Sequence, residues 1–200
     1  MNSFLAKKIE FLGLLIILLF CSMGALFSQE SKELYVLDRA FKQYEIIRYN
    51  LDPEADVLIL GETEDYLEEL TEYLKKCSGL SSMHLFVNGK EGMIDFNRTK
   101  LKSENLHQFI TVFNEWKTSF TEEADLMIYT SSFAEDNQGK GVIRRLSAYT
   151  GLDVAASVDQ TGCGVMEKDW ILEFKKGIVE TRSCMEGIKN NQPEIYQAMK

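Results

Sequence analysis

The sequence has little proline and little histidine, and it lacks the motifs of phosphate and metal binding. Only 2 of its 200 residues are proline, while 45% are hydrophobic and 26% are charged, which excludes a disordered chain and indicates a globular domain with a sizeable core. No GxGxxG or GxxxxGK[ST] string follows the first apolar run, which argues against dinucleotide or Walker-type phosphate binding. Neither a CxxC pair nor a Cys/His cluster is present, so we expect no metal site and no cofactor.

Basic patches are missing as well. The net charge is −9 and the pI is about 4.9, so the overall field repels a phosphate backbone. The nearest basic group, Lys140, Arg144 and Arg145, falls in a helix-like stretch and is typical of a solvated helix face. We therefore expect no nucleic-acid partner.

The first 28 residues differ from the rest of the chain. Lys7 and Lys8 precede the uncharged run "FLGLLIILLFCSMGALF" at 11–27, and small residues follow it, as in a cleaved export signal that leaves Gln29 first. An uncleaved membrane anchor at 11–27 is the alternative, since this run reaches the lower limit of roughly 17–25 residues for a spanning helix. Lipid attachment to Cys21, as in a lipoprotein, is a third and minor option. In each case we expect the folded part to be periplasmic or extracellular, touching a membrane only through this segment if it is uncleaved.

Export changes how the cysteines are interpreted, because disulfides persist outside the cytoplasm. Cys77, Cys163 and Cys184 follow the signal, so at most one intramolecular bridge can form. We predict a Cys163–Cys184 disulfide, since a hairpin turn at Lys175 and Lys176 would bring their segments together. Cys163, between two glycines in "TGCGV", is also a candidate nucleophile.

From residue 33 onward, short apolar runs alternate with amphipathic ones. Strands are predicted at 33–38, 55–60, 82–87, 125–130 and 153–157, and helices at about 40–49, 63–77, 103–119 and 138–150. The runs "DWILEF" and "GIVETR" predict a closing C-terminal β-hairpin. Apolar strands separated by helices indicate an α/β domain at 33–185 with three layers, a mostly parallel sheet covered by helices on both faces. A helical tail at 186–200 would follow it.

Polar residues follow the predicted strands, at the edge where a parallel sheet binds ligands. We predict that this edge binds a partner through Asp38, Glu62, Asn88, Gly89, Thr130, Ser131, Ser132 and Asp159. Strand-to-helix loops are rich in turn and capping residues in any case, so a purely structural role is the alternative. His84, alone in an apolar strand, is expected to be a hydrogen-bonded core residue.

Five sequence blocks resemble one known family in their order and spacing. They are "SSMHLFVNGKEGMIDF", "KLKSENLHQF", "ADLMIYTSSFA", "LSAYTGLDVAASVDQTG" and "DWILEF", and they resemble domain-of-unknown-function family 4347, found near the front of large exported bacterial adhesin-like and cadherin-like proteins. The resemblance implies a caspase-like form of the flavodoxin-like sheet, with His-Gly after the third strand and Gly-Cys after the fourth. Here Asn88 precedes Gly89 and Ser131 follows Thr130, so both positions of the implied dyad are replaced.

Two functions remain open on this sequence. Asparagine cannot take a proton at neutral pH, and a serine hydroxyl without a base is a poor nucleophile. The favoured hypothesis is therefore an exported, non-catalytic module that binds another envelope or extracellular protein through the former catalytic edge. The alternative is a peptidase-like hydrolase that uses Ser131, Ser132 or Cys163 as its nucleophile.

Overall fold

The computed structural model describes residues 32–162 and 169–185. The strands are β1 (Glu33–Asp38), β2 (Asp56–Leu60), β3 (Leu80–Phe86), β4 (Gly89–Lys90), β5 (Met93–Phe96), β6 (Thr99–Lys102), β7 (Phe120–Ile128), β8 (Asp153–Ala156) and β9 (Phe174–Lys176). The helices are α1 (Tyr44–Asn50), α2 (Tyr66–Leu74), α3 (Ile110–Lys117) and α4 (Asn137–Thr150), and a 3-10 turn at Leu106–Phe109 leads into α3.

Six strands form the main sheet in the order β2-β1-β3-β7-β8-β9. The first five are parallel, and β9 runs antiparallel to β8 at one edge. Among the parallel strands this is the doubly wound, flavodoxin-like order, which confirms the predicted α/β fold with a mostly parallel sheet.

Alternate residues of each strand point to opposite faces of the sheet, which gives the domain two hydrophobic clusters. The face that carries Leu34, Met83 and Leu126 packs against apolar residues of α2, α3 and α4. On the opposite face, Leu37 and Phe86 belong to a smaller cluster completed by α1 and by residues from the segment 170–185. The sheet is therefore covered on both faces, as predicted, although irregular chain replaces much of the helical cover on the second face.

Capping residues and apolar spacing explain where the longer helices lie. Asp65 accepts a hydrogen bond from the Glu68 backbone N–H and starts α2, whose Leu67, Leu70 and Leu74 recur at helical spacing and are buried. The Asp136 side chain starts α4 in the same way. That helix ends where Gly151 adopts a left-handed φ of 77°, a conformation that glycine takes without steric cost.

An antiparallel sheet of β4, β5 and β6 is inserted between β3 and α3. Its buried side chains, Ile94, Phe96 and Leu101, join the larger hydrophobic cluster. The backbone N–H of Gly92, in the turn between β4 and β5, donates to the carbonyl of Phe133 in the loop after β7 (3.1 Å). The insertion is thus bound to the domain both by apolar packing and by a backbone hydrogen bond.

The C-terminal hairpin does not form in the predicted place. Lys175 and Lys176, predicted as its turn, lie within β9 and pair with β8 instead. Gly177 then turns the chain with a φ of 97°, and the N–H of Ile178 donates to a carboxylate oxygen of Asp153 in β8 (2.7 Å). Because this side chain holds the residues after β9, they do not pair with the run 169–174.

Several predicted segments lie outside the described residues. These are the export signal or anchor at 1–28, the helical tail at 186–200, and Cys163. Within the described part of the chain, no helix is long and apolar enough to span a bilayer.

Candidate functional site

A side-chain hydrogen bond joins the carboxyl ends of β1 and β3. These neighbouring strands flank the point where the strand order reverses, which is where open α/β sheets bind ligands. The Asn88 amide, two residues beyond β3, donates to Oδ2 of Asp38 at 2.7 Å, and the N–H of Ala40 donates to Oδ1 at 2.8 Å. Asp38 is 2% exposed. Both oxygens of this buried carboxylate therefore need hydrogen-bond donors, and the two bonds supply them.

Ser131 follows β7 and bonds to a hydroxyl group rather than to a base. Thr161 uses its one hydroxyl proton on the Tyr129 carbonyl at 2.8 Å, so the Ser131 hydroxyl is the donor in the 2.9 Å bond between the two hydroxyls. A hydroxyl cannot act as a general base at neutral pH. In the described part of the chain, this hydrogen bond therefore orients Ser131 without activating it.

The two implied dyad positions follow neighbouring strands. Leu85 of β3 pairs with Ile128 of β7, and just beyond them the Thr130 hydroxyl donates to the Val87 carbonyl at 2.9 Å. Asn88 directly follows Val87, and Ser131 directly follows Thr130, so both lie just beyond the ends of their strands. The two residues therefore lie at the same edge of the sheet, while the catalytic history that the resemblance implies for them stays a prediction.

Gly89 stands where two segments approach closely. A Cβ on this residue would overlap the carbonyl oxygen of Met93 and lie 2.7 Å from Cγ2 of Thr130. Only glycine fits there without displacing backbone. Its role in this structure is thus to let β4 turn back tightly beside the end of β7.

The other predicted edge residues differ in whether they make contacts within the domain. Ser132 has a φ of 53°, and its N–H donates to the Asp159 carbonyl, so these two loops contact each other. Asp159 is exposed, and its carboxylate accepts a hydrogen bond from Ser157. Glu62 is exposed in the loop after β2.

Three carboxylates, those of Asp159, Asp169 and Glu173, lie within 4.8 Å of one another. Asp169 already accepts the N–H of Ile171, and Glu173 accepts the N–H of Val158. The first bond fixes the turn that contains Asp169, and the second joins Glu173 to the loop after β8, so both acids have structural roles and the cluster supports no metal assignment. The sequence did not reveal this grouping, because it depends on how residues 169–173 return to the loop after β8.

His84 belongs to a buried polar network, in line with its expected role in the core. Its Nδ1 lies 3.1 Å from the Tyr129 hydroxyl, and its Nε2 lies 3.5 Å from the Ser82 hydroxyl and 3.5 Å from the carboxylate of Glu33. The Tyr35 ring stacks on the imidazole, with 4.7 Å between centroids. The network lies on the second face of the sheet, four residues or roughly 13 Å along the chain from Asn88.

Cys184 lies at the end of this network and has no disulfide partner among the described residues. Its sulfur is 3.8 Å from the Tyr129 hydroxyl, and burial raises the pKa of the thiol to about 12. Such a thiol stays protonated near neutral pH and is a poor nucleophile. Since Cys163 is outside the described residues, and the predicted hairpin that supported pairing is absent, the disulfide stays an untested prediction.

Sequence reasoning missed Thr161, the partner of Ser131, and Asp125 in β7. The sequence offers little sign of Thr161 beyond its place in the loop string "TGCGV". The strand containing Asp125 was predicted to begin at that residue, whereas β7 begins at Phe120. Asp125 is consequently an interior strand residue, and its burial was not foreseen.

Together the fold and the site define a doubly wound α/β domain whose carboxyl edge carries paired polar side chains and an unactivated serine. The model of the family described as a domain of unknown function (DUF4347) matches residues 34–198. The chain therefore belongs to this family, which confirms the resemblance seen in the sequence. No curated protein and no solved structure matches it.

Proposed function

We propose that this domain is a non-catalytic binding module that recognises a partner through the carboxyl ends of β1, β3 and β7. The observation that carries the proposal is the hydrogen bond from the Asn88 amide to the Asp38 carboxylate. At the position where the family resemblance implies a base, this amide has no basic lone pair and is already engaged.

The nucleophile position supports the same conclusion. A serine nucleophile needs a neighbouring base to take its proton. The Ser131 hydroxyl instead donates a hydrogen bond to the Thr161 hydroxyl, which is not a base. Ser132 is held in a left-handed conformation by the loop after β8. Neither serine is paired with a histidine, carboxylate or amine in the described part of the chain.

The chemistry of the edge indicates what kind of partner it suits. Ser131, Glu62 and Asp159 are exposed, and the buried Asp38 carboxylate lies behind Asn88. The exposed groups offer acceptors, and the carboxylates add negative charge, so a complementary surface would present N–H donors or basic side chains. We propose an envelope or extracellular protein as that partner, because the N-terminal segment has the features of an export signal.

Labelling of the purified domain tests the catalytic part of this proposal. A fluorophosphonate should not label Ser131 or Ser132 stoichiometrically, and a mixed peptide library should not be cleaved. Stoichiometric labelling at Ser131 together with cleavage that is lost in Ser131→Ala would establish the hydrolase alternative.

Site-specific photo-crosslinking in the producing cell tests the binding part. A benzophenone amino acid at position 131 should yield a discrete cross-linked species. The matched control is position 78, because Ser78 is an exposed residue in the loop before β3, at the opposite end of the sheet. Equal cross-linking at both positions, or none at position 131, would contradict recognition through this edge.

A further inference from the structure

A second polar site lies at the amino ends of the strands, on the face of the sheet that carries α1. We propose that this site, here called the amino-end cleft, binds an organic cation with an ammonium or guanidinium group. The inference goes beyond the proposed function, because the cleft lies at the end of the sheet opposite Asn88 and Ser131.

The cleft has the size and the charge that such a ligand requires. Its volume is about 810 Å³, within the range of roughly 300–1,000 Å³ found for small-molecule sites. The starts of β1, β3 and β7 form one wall, and residues 180–184 form another. The charged side chains that line it are Glu33, Asp52, Glu123, Asp125, Glu180 and Arg182, five acids against one base.

Asp125 supplies an acceptor that the described residues leave unused. This residue is 1% exposed, and its Oδ2 accepts the backbone N–H groups of Glu180 (3.2 Å) and Thr181 (2.8 Å). Its Oδ1 is buried and has no hydrogen-bond partner in the described part of the chain. A buried carboxylate oxygen without a donor is costly, so this wall of the cleft favours a ligand that brings N–H groups and positive charge.

The spacing of the acids favours an extended cation over a metal ion. Among the described residues, the acids that bring their ligand atoms within 4.8 Å of one another are those at Asp159, Asp169 and Glu173, outside this cleft. The cleft acids are spread over several elements of its wall. Several separate N–H groups along a chain match such a distribution better than a single compact ion.

Tyr35 and Leu51 provide a surface for the apolar part of the ligand. Burial and the hydrogen bond to Glu33 raise the pKa of the Tyr35 hydroxyl, so the phenol stays neutral near pH 7. A neutral aromatic ring in contact with a cation adds attraction through its π face. The methylene groups of an alkylamine can pack against Leu51, which also lines the cleft.

Calorimetric titration with spermidine at about 150 mM salt tests the inference, since this ionic strength screens diffuse surface attraction. The wild-type protein should show saturable one-to-one binding. Asp125→Asn keeps an oxygen for the two backbone N–H groups but removes the charge, and it should weaken binding about 10- to 100-fold. Unchanged affinity in this variant, or no spermidine or lysine-peptide binding by the wild type, overturns the proposal.

Two neighbouring residues of β7 supply a matched pair of variants. Glu123 lines the cleft, whereas Glu122 is exposed and does not line it. Glu123→Gln should weaken spermidine binding more than Glu122→Gln does. If Asp125→Asn does not fold, this comparison tests whether the cation binds in the cleft. Equal weakening by both changes would show attraction to the overall negative charge and overturn a specific site.

A second titration distinguishes the two sources of such a cation. A blocked peptide with one lysine represents a protein partner, spermidine represents a free polyamine, and the ε-acetyllysine peptide is the neutral control. Preference for either cation supports the cleft and identifies the source. Equal binding of the acetylated peptide would overturn the requirement for charge. Failure of these titrations leaves the cross-linking prediction at the opposite edge unaffected.

Discussion

The amide of Asn88 and the carboxylate of Asp38 lie 50 residues apart in the sequence and are joined by a 2.7 Å hydrogen bond. The bond crosses the point where the order of the parallel strands reverses. At this place a doubly wound sheet usually exposes reactive or ligand-binding groups. Here the two side chains satisfy each other, and the hydrogen bond occupies the position where the family resemblance implies a base.

Changing Asn88 to aspartate should destabilise the fold at pH 7, because two carboxylates at this spacing repel each other when both are charged. The folded variant should hold a proton more tightly than the unfolded chain does. Its loss of stability should therefore be full at neutral pH and diminish as the pH falls toward 4. Urea unfolding at both pH values measures the effect.

Asn88→Ala is the control for that experiment. It removes one donor from the buried Asp38 carboxylate and should cost about 1–3 kcal/mol without introducing a second charge. If Asn88→Asp is no less stable than Asn88→Ala at pH 7, the two side chains are not in contact in solution.

Restoring the implied dyad should create a reactive thiol. In the variant Asn88→His with Ser131→Cys, an imidazole and a thiol would follow neighbouring strands, and Asp38 would lie where it can orient the imidazole. The paired thiol should react with iodoacetamide faster near neutral pH than the thiol of Ser131→Cys alone. Equal rates for the two variants would show that the likeness to a cysteine-peptidase edge does not extend to this geometry.

Two glycines of α4 should respond in opposite ways to alanine. A Cβ on Gly139 would overlap the carbonyl oxygen of Phe133, whereas a Cβ on Gly141 meets only the Ser103 hydroxyl oxygen, at 3.5 Å. Gly139→Ala should therefore destabilise the domain by about 1–3 kcal/mol or more. Gly141→Ala should stabilise it by about 0.5–1 kcal/mol, because alanine favours a helix. Thermal unfolding of both variants checks this, and equal effects would rule out the close packing of Phe133 on α4.

In the reduced protein, where no disulfide can protect it, the Cys184 thiol should be nearly inert to alkylation while the domain is folded. With a thiol pKa of about 12, only about one molecule in 10⁴ is a thiolate at pH 8, against roughly a quarter for an unperturbed cysteine. Iodoacetamide should modify Cys184 at least about 100-fold faster in concentrated urea than in buffer. Peptide mass spectrometry follows this cysteine separately from the others, and similar rates in both solutions would show that the thiol is not buried.

The strand pattern made the main sheet predictable, because its parallel strands are apolar on both faces. The run at 153–157 predicted β8 within one residue. The start of β7 was missed because Thr121, Glu122 and Glu123 extend beyond the buried core and lack an apolar pattern. The small inserted sheet was missed because β4 has two residues and its neighbours have four, too few to show a period.

Side-chain partners were less accessible to sequence reasoning than strands. Residue spacing placed Asn88 and Ser131 at strand ends, but it could not show that Asp38 and Thr161 engage them. Both partnerships join segments at least 30 residues apart and depend on strand order and on the path of the loop after β8. The carboxyl-edge residues were thus identifiable individually, while their bonding, on which a catalytic or binding role depends, required the fold.

The insertion after β3 has a consequence for how a ligand could reach the edge. Because Ile94, Phe96 and Leu101 are part of the main core, and Gly92 is bonded to Phe133, the walls beside Asn88 cannot swing open without disturbing the interior. On the side that the insertion forms, the edge is therefore rigid before any contact, and little conformational entropy would be lost there on association. We expect a partner of this edge to bind in a single kinetic phase, at a rate set by diffusion and charge rather than by loop rearrangement.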